Sequence, residues 1–218
     1  MSDPVSHCVI LLGGEVFPTE RLREQISGAF VIAADSGIRH AMTLGVAVDA
    51  WVGDFDSADS EMIDSYKDLR RESFPAEKDQ TDGELAINRA LALGARRLIL
   101  VGAFGGARSD HAFSHLASAL RLSQRGIEVL LTSGRQEGIP LRHETRAFDY
   151  APGTIFSILP FGDLDGLDLD GAKWPLNKRH VVFGSSLTLS NRVTTHLVVT
   201  LKAGRAMLIA HPHPAQDF

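Results

Sequence analysis

One cysteine in 218 residues, Cys8, rules out an intrachain disulfide. Its apolar setting marks it as a small buried hydrophobe rather than a reactive thiol. Lys and Arg form no run, and the formal net charge is -5, so a nucleic-acid binder relying on a broad basic face is excluded. No apolar stretch approaches the roughly twenty residues that cross a membrane. Met1-Ser2-Asp3-Pro4 lacks the basic and apolar regions of a signal peptide, which makes the cytoplasm the expected compartment. Missing too are zinc-type Cys/His spacing, a Gly-x-Ser-x-Gly nucleophile element and a P-loop. The tail histidines His211 and His213 alternate with prolines and do not form a metal motif.

What is present suits one large domain or two modest ones, with 44% hydrophobic and 22% charged residues. Up to about residue 133, short Val/Ile/Leu runs alternate with amphipathic stretches. Strands are expected at His7 to Leu12, Phe30 to Ala34, Ala50 to Val52, Arg71 to Phe74, Arg97 to Val101 and Ile127 to Thr132. Helical patterns lie between them, near Pro18 to Ser27, Gly37 to Leu44, Ser60 to Leu69, Asp82 to Leu93 and Asp110 to Arg125. This grammar predicts βαβ units and a parallel, Rossmann-like α/β sheet, with Gly45, Gly94 and Gly126 as helix C-caps. Beyond Gly134 the pattern becomes β-rich. Strands are expected at Ile155 to Leu159, Leu187 to Leu189, Val193 to Leu201 and Ala206 to Ala210, with turns at Pro152-Gly153, Asp163 to Gly166, Ser190-Asn191 and Ala203-Gly204. The expected organisation is an α/β domain over residues 1–134 and a β-sandwich over residues 135–218.

Chemistry concentrates where strands give way to helices. Gly53-Asp54-Phe55-Asp56-Ser57 places two carboxylates after an apolar strand, and in extended backbone both would point one way. Asp35 ends another strand, and Asp82 opens a helix. Like charges repel by about 4 kcal/mol for a pair about 4 Å apart at an effective dielectric near 20. A shared acidic cleft therefore calls for a divalent cation, and oxygen donors suit Mg2+ with substrate phosphates. The competing role for each aspartate is a turn or helix cap, although one cap cannot use both Asp54 and Asp56. Thr81 and Glu84 fit a capping box, leaving Asp82 in the first helical turn. Lys78 and Gln80 stand in the preceding loop, either as solvated loop residues or as contacts for phosphate or metal-bound water. Gly102 to His111, with Arg108 and Asp110, forms a glycine-rich turn into a helix, and Gly13-Gly14 offers a second point of close phosphate approach. Trp174 is either core or a stacking surface for a flat cationic ring. Ser190 and Asn191 sit at a hairpin turn.

In order along the chain, Asp35-Ser36-Gly37, Gly53-Asp54-Phe55-Asp56-Ser57, Lys78-Asp79-Gln80-Thr81-Asp82-Gly83-Glu84, Arg108-Ser109-Asp110-His111 and Ser190-Asn191 resemble the thiamine pyrophosphokinase family. The resemblance implies an α/β domain, a C-terminal β-sandwich, a homodimer, and transfer of pyrophosphate from ATP to the thiamine hydroxyl with release of AMP. It makes Asp35, Asp54, Asp56 and Asp82 the Mg2+ positions, and Gln80, Thr81, Arg108 and Asp110 the nucleotide or phosphate positions. Asp54, Asp56, Asp82 and Arg108 are the catalytic candidates. Trp174, Ser190 and Asn191 are the candidate thiamine contacts. Two departures stand out: Ala107 is inserted between Gly106 and Arg108, and His115 occupies a position where the family often has Asn. The rival readings are a Mg2+-dependent phosphohydrolase and a non-catalytic nucleotide or thiamine sensor.

Overall fold

The computed structural model describes residues 5–55, 66, 69, 71–73 and 79–213. The chain divides into two compact units, one of Met1–Phe113 with Gly126–Gly134 and one of Ser114–Arg125 with Arg135–Phe218. In the first, β1 (His7–Leu11), β2 (Phe30–Ala34), β3 (Ala50–Gly53), β4 (Arg71–Ser73), β5 (Arg97–Val101) and β6 (Glu128–Thr132) form a wholly parallel sheet. Its order is β4-β3-β2-β1-β5-β6. The chain therefore works outward from β1 in one direction and then returns to the other side of β1 for β5. That reversal is the topological switch point, where open α/β sheets receive ligands beyond their strand C-termini.

Val9, Leu11, Val31, Ala33, Trp51, Ile99 and Val101 share one buried cluster with Leu22, Ile26, Ala41 and Leu44. The alternate set Cys8, Ile10, Ile32, Val52, Leu98 and Leu100 is equally buried, so the strands carry apolar side chains on both faces. Each fully buried Leu, Ile or Val contributes roughly 1.5–3 kcal/mol, enough for this pattern to set the strands. The helices are α1 (Glu20–Ile26), α2 (His40–Leu44), α3 (Asp82–Ala92) and α4 (Ser109–Gln124). Thr19 caps α1 by accepting from the Leu22 N–H at 3.2 Å. Gly45, Gly94 and Gly126 all have positive φ after helix ends. The helix expected over residues 37–44 begins instead as a 3-10 turn, Asp35–Arg39, ahead of α2. The helix expected at residues 60–69 lies outside the described residues, apart from Tyr66 and Leu69.

The second unit is antiparallel. Its strands are β7 (Glu137–Leu141), β8 (Thr145–Phe148), β9 (Ile155–Pro160), β10 (Leu164–Ala172), β11 (Leu176–Val181), β12 (Asn191–Ala203) and β13 (Ala206–His211). One sheet runs β7-β13-β9 and reaches the first residues of β12. The other joins β8, β10 and β11 to the remainder of β12. One thirteen-residue strand thus serves both sheets.

Two sequence expectations are corrected here. Asp163 to Gly166 is not a simple turn, because Leu164–Ala172 is a bulged strand with Leu164, Leu167 and Leu169 fully buried. Leu187 to Leu189 is not a strand; Leu187 and Leu189 are exposed and only Thr188 is buried. The Thr188 carbonyl accepts from the Ile158 N–H at 2.9 Å, and its hydroxyl donates back to the Ile158 carbonyl at 2.7 Å. A side chain there stands in for the second backbone bond of a ladder.

Candidate active site

In a parallel sheet every strand ends on the same edge, so the segments after β1, β2, β3 and β5 share one rim. Asp35 follows β2, Asp54 follows β3, and Asp82 opens α3, which packs against β1, β2 and β3. All three are half-buried. The site begins at Asp35, whose backbone lies in the left-handed region at φ 43°, an uncommon conformation for a non-glycine residue. Its carbonyl accepts the Trp51 indole N–H at 3.0 Å, which pins that conformation to the core. A Cβ at Gly53 would stand 3.2 Å from the Asp35 Cα, so the β2 and β3 ends abut. The Asp35 Oδ1 is buried and has no hydrogen-bond partner among the described residues. An orphaned buried acceptor of this kind is rare in native structures. It fits a site built to receive a cation.

Asp54 lies just beyond the end of its strand. β3 stops at Gly53, and Phe55 turns at φ 65°. The turn seats the Phe55 ring edge-on against Trp51, with centroids 4.9 Å apart. Strand alternation therefore ends before Asp54. Asp56 and Lys78 lie outside the described residues. Among the described residues, no three His, Cys, Asp or Glu side chains gather as a metal-ligand group. Asp35, Asp54 and Asp82 share the rim without forming such a group by themselves.

Thr81 and Glu84 close the capping box in both directions: the Glu84 N–H donates to the Thr81 hydroxyl at 3.2 Å, and the Thr81 N–H donates to Glu84 Oε2 at 3.4 Å. Asp82 then sits in the first turn of α3, where the helix dipole favours a carboxylate. Gln80 Oε1 accepts from Asn88 at 3.4 Å. Arg108 precedes α4 and grips Asp110 with two bonds, Nε to Oδ1 at 3.0 Å and Nη2 to Oδ2 at 2.7 Å. Both side chains are exposed, and the guanidinium holds the Asp110 carboxyl well below the ordinary range. Meeting a phosphate would require Arg108 to share or exchange that carboxylate.

Gly14 joins two loops of the rim. The Gly14 N–H is given to the Gly102 carbonyl at 3.0 Å and the Glu15 N–H to the Phe104 carbonyl at 2.9 Å. A Cβ at Gly14 would lie 2.3 Å from the Gly102 oxygen. The glycines allow the loops after β1 and β5 to zip together across the switch point, leaving the aspartates over β2 and β3 as the chemically distinctive part of the rim. Two basic residues missed in the sequence reading brace this zipper. Arg39 donates to the Gly13 carbonyl, and the His40 Nε2 faces the Gly14 carbonyl at 3.0 Å. Burial and the neighbouring Arg39 push the His40 pKa down. Their only sequence signal is a basic pair shortly after Asp35-Ser36-Gly37.

In the second unit Trp174 is 54% exposed. Lys173 Nζ lies 4.7 Å from the centre of its ring. Asn191, in contrast, is buried, and its amide bonds the Trp174 main chain. Ser190 is exposed at φ 56°, and its N–H donates to the Ser157 hydroxyl at 2.9 Å.

Two family models match the chain: thiamin pyrophosphokinase, catalytic domain, over residues 23–131, and thiamin pyrophosphokinase, vitamin B1 binding domain, over residues 141–208. The sequence is 29% identical to a protein of Bacillus subtilis (strain 168) named thiamine pyrophosphokinase, covering 82% of this chain and 84% of that one. The crystal structure of thiamine pyrophosphokinase from Bacillus subtilis resembles the fold with a TM-score of 0.82 at 22% identity, covering 94% of this chain and 98% of that chain. The thiamin pyrophosphokinase structure from Geobacillus thermodenitrificans gives 0.79 at 26% identity, covering 97% and 98%.

Proposed function

The chain belongs to the thiamin pyrophosphokinase family and has that activity, and from this premise we propose how its residues divide the work. ATP is the pyrophosphoryl donor. Asp35, Asp54 and Asp82 at the rim, together with Asp56, would hold Mg2+, which would supply positive charge to the phosphate oxygens. The observation that carries this reading is the buried Asp35 Oδ1, without a hydrogen-bond partner among the described residues, on the edge that Asp54 and Asp82 share. All four residues offer oxygen donors, the type Mg2+ prefers.

Phosphoryl transfer asks the protein for alignment and charge stabilisation more than for covalent participation. The thiamine hydroxyl oxygen bonds to the β-phosphorus as the α–β bridge breaks, and the bridging oxygen leaves with AMP. Asp56 or Asp82 accepts the hydroxyl proton. Arg108 opens its fork from Asp110 toward the phosphates, and Gln80 and Thr81 are further nucleotide or phosphate positions. Trp174 is the stacking surface for thiamine, and Ser190 lies at its margin. We assign ATP and Mg2+ binding to residues 1–134 and thiamine binding to residues 135–218.

Val182, Phe183, Leu187 and Leu189 are large exposed apolar side chains of the second unit. They support a homodimer that buries them against a second copy, which sedimentation would detect. No helix among the described residues is long and apolar enough to cross a membrane, and we place the activity in the cytoplasm.

Mass spectrometry of a mixture of protein, ATP, Mg2+ and thiamine tests the reading. Equal amounts of AMP and thiamine diphosphate are expected, and only with thiamine present. Free phosphate from ATP alone would show a hydrolase, and binding of both ligands without product would show a sensor.

A further inference from the structure

The Asn191 side chain behaves as an extra peptide group. β10 and β12 pair through Ala172 and Val193, and the Lys173 N–H continues to the Arg192 carbonyl at 2.8 Å. One residue later the main-chain ladder would end. At that point the Trp174 N–H donates to Asn191 Oδ1 at 3.1 Å, and Asn191 Nδ2 donates to the Trp174 carbonyl at 2.8 Å. The Arg192 N–H also donates to Oδ1, at 2.8 Å. A primary amide presents one donor and one acceptor side by side, as a peptide does. Asn191 is 4% exposed, and both its functional atoms are already engaged with the chain.

The same clamp governs an exposed aromatic ring. Pro175 restricts Trp174 to extended backbone, and the amide ties down both main-chain polar groups of Trp174. Lys173 stands over one face of the indole, so a flat ligand is offered the other. From Asn191 itself a ligand gains little, because Oδ1 accepts two bonds and Nδ2 keeps one hydrogen in a buried setting.

We infer that Asn191 is a positioning residue for thiamine rather than a thiamine contact, acting by fixing Trp174 in advance of binding. This rests on Trp174 as the stacking surface. Fixing the ring beforehand removes an ordering cost otherwise met on binding.

The experiment is a cycle of Asn191→Ala, Trp174→Ala and the double variant, together with the near-isosteric Asn191→Asp, which places an oxygen where Nδ2 faces the Trp174 carbonyl. Removing pre-ordering of one side chain is expected to raise the thiamine KM about three- to tenfold, while the ATP KM stays unchanged. The double variant should match Trp174→Ala alone, since a residue acting only through Trp174 has nothing to add once the ring is gone. Trp174 and the fully buried Trp51 are the only two tryptophans. Time-resolved anisotropy should therefore show fast local motion of Trp174 appearing in both Asn191 variants.

Additive losses in the double variant would overturn the inference, because Asn191 would then touch the substrate. A normal thiamine KM in folded Asn191→Asp would overturn it as well, as would an unchanged anisotropy. If Trp174→Ala leaves the thiamine KM unaltered, the stacking surface itself is refuted, whatever the anisotropy shows of the clamp.

Discussion

Replacing Asp35 by Asn should make the metal-free protein more stable and the enzyme nearly inactive. The substitution keeps size and shape, and Asn is among the residues that best tolerate the left-handed backbone found here at φ 43°. The Trp51 indole bond survives, because it is made to the Asp35 main-chain carbonyl. What changes is the buried Oδ1, which no hydrogen bond from the described residues compensates. An unsatisfied buried polar group costs about 1–3 kcal/mol, and more when charged. Removing the charge should recover about 1–2 kcal/mol of that, or a rise of roughly 2–8 °C in melting temperature for a chain of this length. Turnover should fall by about 10²–10³, the usual loss when one group placed to stabilise reacting charge is removed. Thermal melts with and without MgCl2, alongside AMP release, read both effects. Wild type should gain stability with added Mg2+, as any ligand selective for the folded state confers, whereas Asp35→Asn should gain far less. A metal-free Asp35→Asn protein that melts below wild type would refute the reasoning, since the orphaned oxygen would then carry no cost.

Asp54→Ala should fold normally and lose at least about 10² in kcat; wild-type turnover in the folded variant would remove Asp54 from the proposed ligand set. Gly14→Ala should be destabilised by about 2–5 kcal/mol, because its Cβ would collide with the Gly102 and Phe104 carbonyls and break the two loop bonds. An unchanged urea midpoint would show that the two loops are not locked together. Burial and the nearby Asp49 push the Cys8 thiol up to about 12, so the native protein should resist iodoacetamide at pH 8.5 and react once unfolded. The unfolded thiol loses its proton near its ordinary value of 9.0 while the folded one keeps it. Stability should therefore fall as pH rises between about 9 and 12, with a gentler slope in Cys8→Ala.

The first unit was legible because its signals are local. Strands β2 and β5 coincide with their apolar runs, and glycines close the helices where caps were expected. In the second unit β9, β12 and β13 were legible too, while the other strands were hidden for separate reasons. In β10, Asp and Gly residues resemble turn formers, yet Gly166 and Gly171 at positive φ supply bulges, and Leu167 and Leu169 alternate with outward Asp168 and Asp170. β11 is an exposed strand carrying Lys178, Arg179 and His180, so no buried face imprints a period. β7 includes Pro140, a residue that argues against a strand when only the sequence is seen.

At the site, residue chemistry and spacing brought out the acidic positions and the capping box. The left-handed turn at Phe55, the Arg108 grip on Asp110 and the Asn191 clamp depend on what each side chain meets after folding. The role of Gly14 is hidden for the same reason: the sequence shows its flexibility, and only the fold shows the contact between two loops that it permits.

The shared strand β12 has a mechanical consequence for the antiparallel unit. At about 3.3 Å per residue, Asn191–Ala203 is a rod about 40 Å long whose first rungs belong to one layer and whose remaining rungs belong to the other. Neither layer can come apart while its neighbour stays whole, so their amide protons should exchange with solvent in a single concerted opening.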